Sequence, residues 1–75
     1  MKRFFGMMPA NEVLIQRRFR DMNGHTLLIQ AGRKGWSIMY ADNSSEYGDA
    51  DESPEANFET AYRRAMDAVG PLTYS

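Results

Sequence analysis

Val13-Leu14-Ile15-Gln16-Arg17-Arg18-Phe19-Arg20-Asp21-Met22, then Asn23-Gly24, then His25-Thr26-Leu27-Leu28-Ile29-Gln30 is the stretch that decides the fold. Two runs rich in β-branched, aromatic and long side chains flank an Asn-Gly pair, the pattern of a β-hairpin. The loop length sets the register. If Asn23-Gly24 alone made the turn, Arg20 would face Leu27, Arg18 would face Ile29 and Phe19 would face Leu28, dividing the apolar residues between both faces. With a Met22-Asn23-Gly24 loop and Gly24 in the left-handed conformation, Phe19 faces Leu27 and Arg17 faces Ile29. Ile15, Phe19, Leu27 and Ile29 then share one side. A one-residue slip moves every side chain to the other face, so burial selects the three-residue loop.

Working outward, Trp36-Ser37-Ile38-Met39-Tyr40 alternates with Trp36, Ile38 and Tyr40 on one side, the period of a third strand. A four-residue Gly32-Arg33-Lys34-Gly35 loop sets Ile38 opposite Ile29 and Tyr40 opposite Leu27, extending the apolar face across three strands. Asp42-Asn43-Ser44-Ser45 reads as a turn, after which Glu46-Tyr47 is where a short fourth strand would begin. Residues 48–53 read as an acidic loop.

Ser53-Pro54 has the signature of a helix start: a capping hydroxyl, then a proline at the first position, where its missing donor costs nothing. Asp51, Glu52 and Glu55 suit the positive end of the helix dipole. Phe58, Ala61, Tyr62, Ala65 and Val69 follow on one helical face, and Gly70-Pro71 ends the helix. Neither a one-sided sheet nor a one-sided helix of this length is stable alone, so each must cover the other. The expected fold is therefore α+β: a three-stranded or four-stranded antiparallel meander packed on one C-terminal α-helix, in the order β-β-β-α. Strands are expected at about 13–21, 25–31 and 36–41, and the helix at about 54–69. Residues 13–75 are expected to form the single domain and residues 1–12 a mostly irregular leader, whose apolar Phe4, Phe5, Met7 and Met8 either cover one end of the core or form an exposed apolar segment fit for an interface; the spacing does not decide between these.

A chain of 75 residues holds one core, because a domain of this size buries only about 60% of its unfolded surface. The absence of cysteine excludes disulfides, thiolate catalysis and cysteine-based zinc sites. The apolar start at Phe4-Phe5 is broken by Gly6 and ended by Pro9, too short for a signal peptide, and no stretch has the length of a membrane span. A cytoplasmic protein without membrane contact is expected.

The net charge of −1 hides a division. Residues 1–36 carry seven Lys or Arg against two acids, a net of +5; residues 37–75 carry two Arg against eight acids, a net of −6. Such polarity orients a charged partner, or draws the two halves of the fold together.

Candidate chemistry is sparse. The only histidine, His25, lies across the hairpin loop from Asp21, a base-and-carboxylate arrangement with no nucleophile placed to use it; a turn-flanking ion pair is the expectation. The acidic loop fails the calcium pattern, since the glycine position falls on Tyr47 when the loop starts at Asp42 and on Pro54 when it starts at Asp49. Gly32-Arg33-Lys34-Gly35 lacks the Walker spacing and precedes a strand rather than a helix. Glu59, Arg63 and Asp67 suit a solvated helix face. No cofactor and no metal are implied.

The outer sheet face stands slightly above this background. The register puts Gln16, Arg18, Arg20, Thr26, Leu28, Gln30, Ser37 and Met39 there, with Arg33 and Lys34 at the neighbouring tip; Arg17 is close by. Such a face can meet phosphates and base edges. Three strands before one packed helix resembles, in outline and without a shared motif, plant ethylene-response-factor DNA-binding domains and recombinase arm-binding domains. The expected function is a small non-enzymatic protein-interaction module, of the kind that serves as an accessory protein of a phage or mobile element, able to form homodimers. The alternative is nucleic-acid binding through Arg17, Arg18, Arg20, Arg33 and Lys34.

Overall fold

The computed structural model describes residues 8–75; Phe4, Phe5 and Met7 lie outside that range. Within it, β1 (Ile15–Arg20), β2 (Thr26–Gly32), β3 (Gly35–Met39) and β4 (Ser45–Asp49) form an antiparallel meander. The helix α1 (Pro54–Val69) follows, and β5 (Thr73–Tyr74) returns to the sheet, giving the order β4-β3-β2-β1-β5. The architecture is the expected antiparallel sheet followed by a helix, with five strands in place of three or four.

The hairpin adopts the register that burial selects. Phe19 pairs with Leu27 and Arg17 with Ile29, while the Asp21 amide donates to the His25 carbonyl at 2.9 Å across the three-residue loop. Gly24 closes that loop at φ 83°, a left-handed conformation that costs a residue with a Cβ about 1 kcal/mol or more. On the other side, Ile38 pairs with Ile29 as expected, but Gly32 and Gly35 pair with each other, so the turn consists of Arg33 and Lys34 alone rather than four residues.

β4 is the fourth strand of the four-stranded alternative, at Glu46-Tyr47, and β5 alone exceeds the three or four expected. β4 covers the free edge of β3 along its whole length. Its Gly48 lies opposite Trp36, and a Cβ there would meet the indole at 2.6 Å, so the missing side chain is what lets the ring lie on the strand. β5 has only two residues and holds because Tyr74 stacks on Phe19, with ring centroids 5.2 Å apart.

The helix begins and ends as its signals require. The Ser53 hydroxyl accepts from the Ala56 amide at 3.1 Å, and Gly70 at φ 86° donates back to Met66. Ala61 and Ala65, both fully buried, lay α1 on β2 and β3, with Phe58, Tyr62 and Val69 half-buried at its margins. The sheet contributes Phe19, Leu27, Ile29, Ala31, Trp36 and Ile38 to the same core.

One buried polar residue sits on that apolar helix face. Asn57, 1% exposed, donates through its side-chain nitrogen to the Gly32 carbonyl at 2.7 Å and the Ala50 carbonyl at 3.2 Å. It ties the first turn of α1 to the β2–β3 turn and to the segment that leads into the helix.

The outer face is partly covered. Of the two roles open to the leader's apolar residues, Met8 takes the covered one and is 4% exposed: its amide donates to Gln30 Oε1 at 3.3 Å and its side chain lies over Gly32. Residues 10–12 form a short 3-10 turn rather than an irregular stretch. The Gln30 amide nitrogen donates to Gln16 Oε1 at 2.7 Å, and Ser37 Oγ donates to Gln30 Oε1 at 3.2 Å, so the covered polar groups satisfy one another.

Two substitutions test this packing. Ile38 is fully buried, so Ile38→Ala costs about 2–5 kcal/mol in a urea titration; a loss under about 1 kcal/mol would contradict the core described here. Asn57→Ala removes both bonds to the Gly32 and Ala50 carbonyls from a buried site and costs about 1–3 kcal/mol, and hydrogen exchange shows the loss as faster opening of the 50–57 segment than of the β1–β2 hairpin.

Candidate interaction surface

The sheet turns the charge division of the sequence into a division in space. β1, β2 and the β2–β3 turn carry Arg17, Arg18, Arg20, Arg33 and Lys34, β3 is uncharged, and β4 with the segments around it carries Asp42, Glu46, Asp49, Asp51 and Glu52. Because β4 and β1 lie on opposite flanks, one flank is basic and the other acidic. No ion pair among the described residues joins the two halves. Among the described residues the pairs are His25–Asp21, Arg63–Glu59 and Arg64–Glu46, each within its own half.

The basic flank is also an open strand edge. β5 pairs only with Phe19 and Arg20 of the six residues of β1, and the Ser75 amide adds one bond to the Arg18 carbonyl at 3.2 Å. The Asp21–His25 bond sets the alternation along β1: residues 15, 17 and 19 direct their backbone groups toward β2, and 16, 18 and 20 direct theirs outward. Gln16 therefore presents its backbone groups to the unfilled part of the edge, and Arg18, whose carbonyl accepts from Ser75, borders β5. The Arg17 guanidinium folds onto the outward Gln16 carbonyl at 2.7 Å, a charged group on the edge of the kind that deters indiscriminate strand pairing. No carboxylate among the described residues pairs with Arg17, Arg18 or Arg20, all of which are exposed.

Beside this edge, between β5 and α1, lies an apolar groove of about 340 Å³. Phe19 forms its floor, 3% exposed, with Tyr62 at 5.3 Å and Phe58 at 6.2 Å between ring centroids. Leu72 and Tyr74 form the outer wall, and Tyr74 remains 76% exposed although its ring stacks on Phe19. An extended segment along β1 has an aromatic recess at one end and guanidiniums along its length.

The residues proposed for nucleic acid are only partly brought together. Arg18 and Arg20 stand two apart on the outer face, whereas Arg17 shares the helix-facing side with its partner Ile29. Arg33 and Lys34 lie at the far end of β2, roughly 20 Å from Thr26 beside Arg20 at 3.3 Å per residue. Between them the 8–14 segment crosses the outer face, anchored by the Leu14 amide on the Ala31 carbonyl at 2.9 Å. The Lys34 carbonyl accepts from the Ala50 amide at 3.2 Å, so the basic turn abuts the acidic 49–52 segment.

The remaining candidates have structural duties. Asp21 Oδ1 accepts the amides of Asn23 and His25 at 2.9 Å each, and its other oxygen lies 3.8 Å from His25 Nδ1. Both line a cleft of about 390 Å³ with Tyr40 and Asp42. Asp42 accepts the Ser44 hydroxyl at 2.6 Å and the Ser44 amide at 2.9 Å, bonds that hold its carboxyl below the usual range. No group of three or more histidine or acidic side chains suited to a metal ion occurs among the described residues. No helix there is long and apolar enough to cross a membrane.

A second polar cluster joins β4 to the helix. Arg64 binds Glu46 through two guanidinium nitrogens, Nε at 3.0 Å, and its guanidinium carbon lies 5.8 Å over the Trp36 ring. The Tyr40 hydroxyl donates to the other Glu46 oxygen at 3.2 Å. Burial first, then the Glu46 charge and that hydrogen bond, push the Tyr40 phenol up to about 12 against the opposing Arg64 charge. Nothing in the local spacing of Glu46 and Arg64, 18 residues apart, signals this pair.

Compared with known proteins, the chain matches no family model, no curated protein and no solved structure.

The Tyr40 cluster has a measurable consequence. The folded-state value lies above the ordinary 10.0, so the contribution to stability is complete below pH 10.0 and is lost as pH rises toward 12. A phenolate absorbance titration should show one tyrosine ionising late, and Glu46→Gln should bring it earlier. Four tyrosines ionising together at the ordinary value would contradict the cluster.

Proposed function

We infer that this chain is a small non-enzymatic interaction module that takes an extended acidic segment of a protein partner along the edge of β1. The carrying observation is an unfilled strand edge over residues 15–17, flanked where β5 begins by Arg18 and Arg20, with none of Arg17, Arg18 and Arg20 held by a carboxylate among the described residues. Strand addition supplies backbone hydrogen bonds, and alternate side chains supply the choice of partner. Acidic residues answer the guanidiniums, which bind carboxylates bidentately. An aromatic or branched apolar residue answers the Phe19 groove, a recess with the apolar character of an interface anchor site.

Protein is preferred to nucleic acid on geometry. A duplex needs basic groups spread along one accessible face, whereas Arg18 and Arg20 are separated from Arg33 and Lys34 by the 8–14 segment, and the latter pair borders the acids of the 49–52 segment.

The test is nuclear magnetic resonance titration of the labelled protein with a short acetylated peptide alternating glutamate with valine and tyrosine, and separately with mixed-sequence duplex DNA. The expected result is that the peptide shifts the Gln16 and Arg18 amides and the Phe19 ring, that Arg17→Gln/Arg18→Gln weakens this about tenfold or more, and that salt weakens it too. Silence of the β1 amides at millimolar peptide overturns the reading. Saturable DNA binding lost in the Arg18→Gln/Arg20→Gln variant would replace it with the nucleic-acid alternative.

A further inference from the structure

The loop that sets the hairpin register also carries a chemically labile pair, Asn23 followed by Gly24. Both residues are exposed, nothing lies within 4 Å of the place a Gly24 side chain would take, and Met22 beside them is 77% exposed. The Asn23 side chain makes no hydrogen bond among the described residues; only its backbone amide is engaged. None of the other three asparagines combines these features. Asn11 precedes Glu12, Asn43 precedes Ser44 and Asn57 precedes Phe58, so each is followed by a residue whose side chain crowds its own amide. Asn57 is also 1% exposed, with its side-chain nitrogen held by two carbonyls. We propose that Asn23 is a site of spontaneous covalent modification, converting to aspartyl and isoaspartyl forms at a pace that the hydrogen bonds of the loop restrain.

The nucleophile is the Gly24 backbone nitrogen, open to approach because its residue has no Cβ. It gives its proton to solvent and attacks Asn23 Cγ. The N–Cγ bond forms, the Cγ–Nδ2 bond breaks, and the side-chain nitrogen takes a proton from solvent and leaves as ammonia. A cyclic succinimide remains, and water opens it at either carbonyl. Breaking the N–Cγ bond gives aspartate with the original main chain. Breaking the bond from nitrogen to the main-chain carbonyl carbon gives isoaspartate, in which the main chain runs through Cβ and Cγ. Water is the sole co-reactant, and nothing is oxidised or reduced.

The folded loop opposes the first step. The Gly24 amide donates to the Asp21 carbonyl at 3.1 Å, and with positive φ at neither Met22 nor Asn23 the loop begins as a type I turn. That amide must leave its acceptor, and Asn23 its turn conformation, before nitrogen reaches Cγ. Asp21 Oδ1 resists both movements by accepting the Asn23 and His25 amides at 2.9 Å each. Conversion therefore proceeds from openings of the loop, and these need no unfolding of the sheet, because residues 22–24 are exposed.

The two products differ in what they do to the fold. Each places a new carboxylate in the loop that holds Asp21 and makes the chain one charge more negative than −1. The aspartyl form keeps the three-residue loop. The isoaspartyl form inserts an extra main-chain carbon into a connection whose length fixes the strand register, so it folds less stably.

Ageing the chain for weeks in buffer near neutral pH, followed by peptide mapping in a mass spectrometer, tests the proposal, with Asn11, Asn43 and Asn57 as references in the same sample. Amide-to-acid conversion at Asn23 runs about tenfold or more ahead of the other three, isoaspartate appears among its products, and hydroxylamine cuts the aged chain between residues 23 and 24. Asp21→Ala, shown to be folded by circular dichroism, converts faster still. Conversion at Asn23 no faster than at Asn43 overturns the proposal, as does a product with neither isoaspartate nor hydroxylamine cleavage. An unchanged rate in folded Asp21→Ala overturns the restraint. If that variant unfolds, the wild-type chain aged in buffer and in urea decides instead: faster conversion in urea supports the restraint, and equal rates overturn it.

Discussion

Every side chain on the sheet depends on where the hairpin between β1 and β2 turns. Three residues in the loop, closed by Gly24 at φ 83°, put Phe19 opposite Leu27 and Ile15, Phe19, Leu27 and Ile29 on one side. The alternative two-residue turn would have placed arginines against Leu27 and Ile29, beneath the helix. Burying a guanidinium there without a partner costs several kcal/mol, far more than the backbone preferences that separate turn types. The register of β2 with β3 and of β3 with β4 is propagated from this choice, because each strand must continue the same apolar face.

Once that face exists, the helix is held on it by a few specific groups as well as by area. Ala61 and Ala65 are small enough to bring the helix backbone close to β2 and β3, and Asn57 replaces apolar contact at the first turn with two hydrogen bonds to the Gly32 and Ala50 carbonyls. Farther along, Arg64 reaches over Trp36 to Glu46 and so fastens the helix to β4. Gly48 belongs to the same arrangement, since only a residue without a side chain lets the Trp36 ring lie where Arg64 covers it. β4 is therefore attached from two sides, although its own residues bury little.

The division of charge over the surface follows from strand order rather than from any motif. A meander that begins with basic β1 and ends with acidic β4 carries the two kinds of charge to opposite flanks, because neighbouring strands in sequence are neighbours in space. Charges on opposite flanks cannot neutralise each other within one molecule, which is why the described ion pairs stay inside each half.

The β1–β2 hairpin, its register, the third strand and the helix with both its caps were legible in the residues, because periodicity of two or of 3.6 and the conformational demands of glycine and proline act locally. Five arginines and lysines were also legible as a candidate surface, but their separation into Arg18 with Arg20, Arg17 behind them, and Arg33 with Lys34 at the far turn was not. Tertiary structure alone decided β4, whose Glu46 and Gly48 have meaning only against Arg64 and Trp36, and β5, whose two residues pair only because Tyr74 finds Phe19. It alone buried Met8 over Gly32 and assigned Asn57 its two carbonyls. Local pattern specifies which face a residue takes; which distant group waits on that face depends on how the strands are ordered, and no period in the sequence records it.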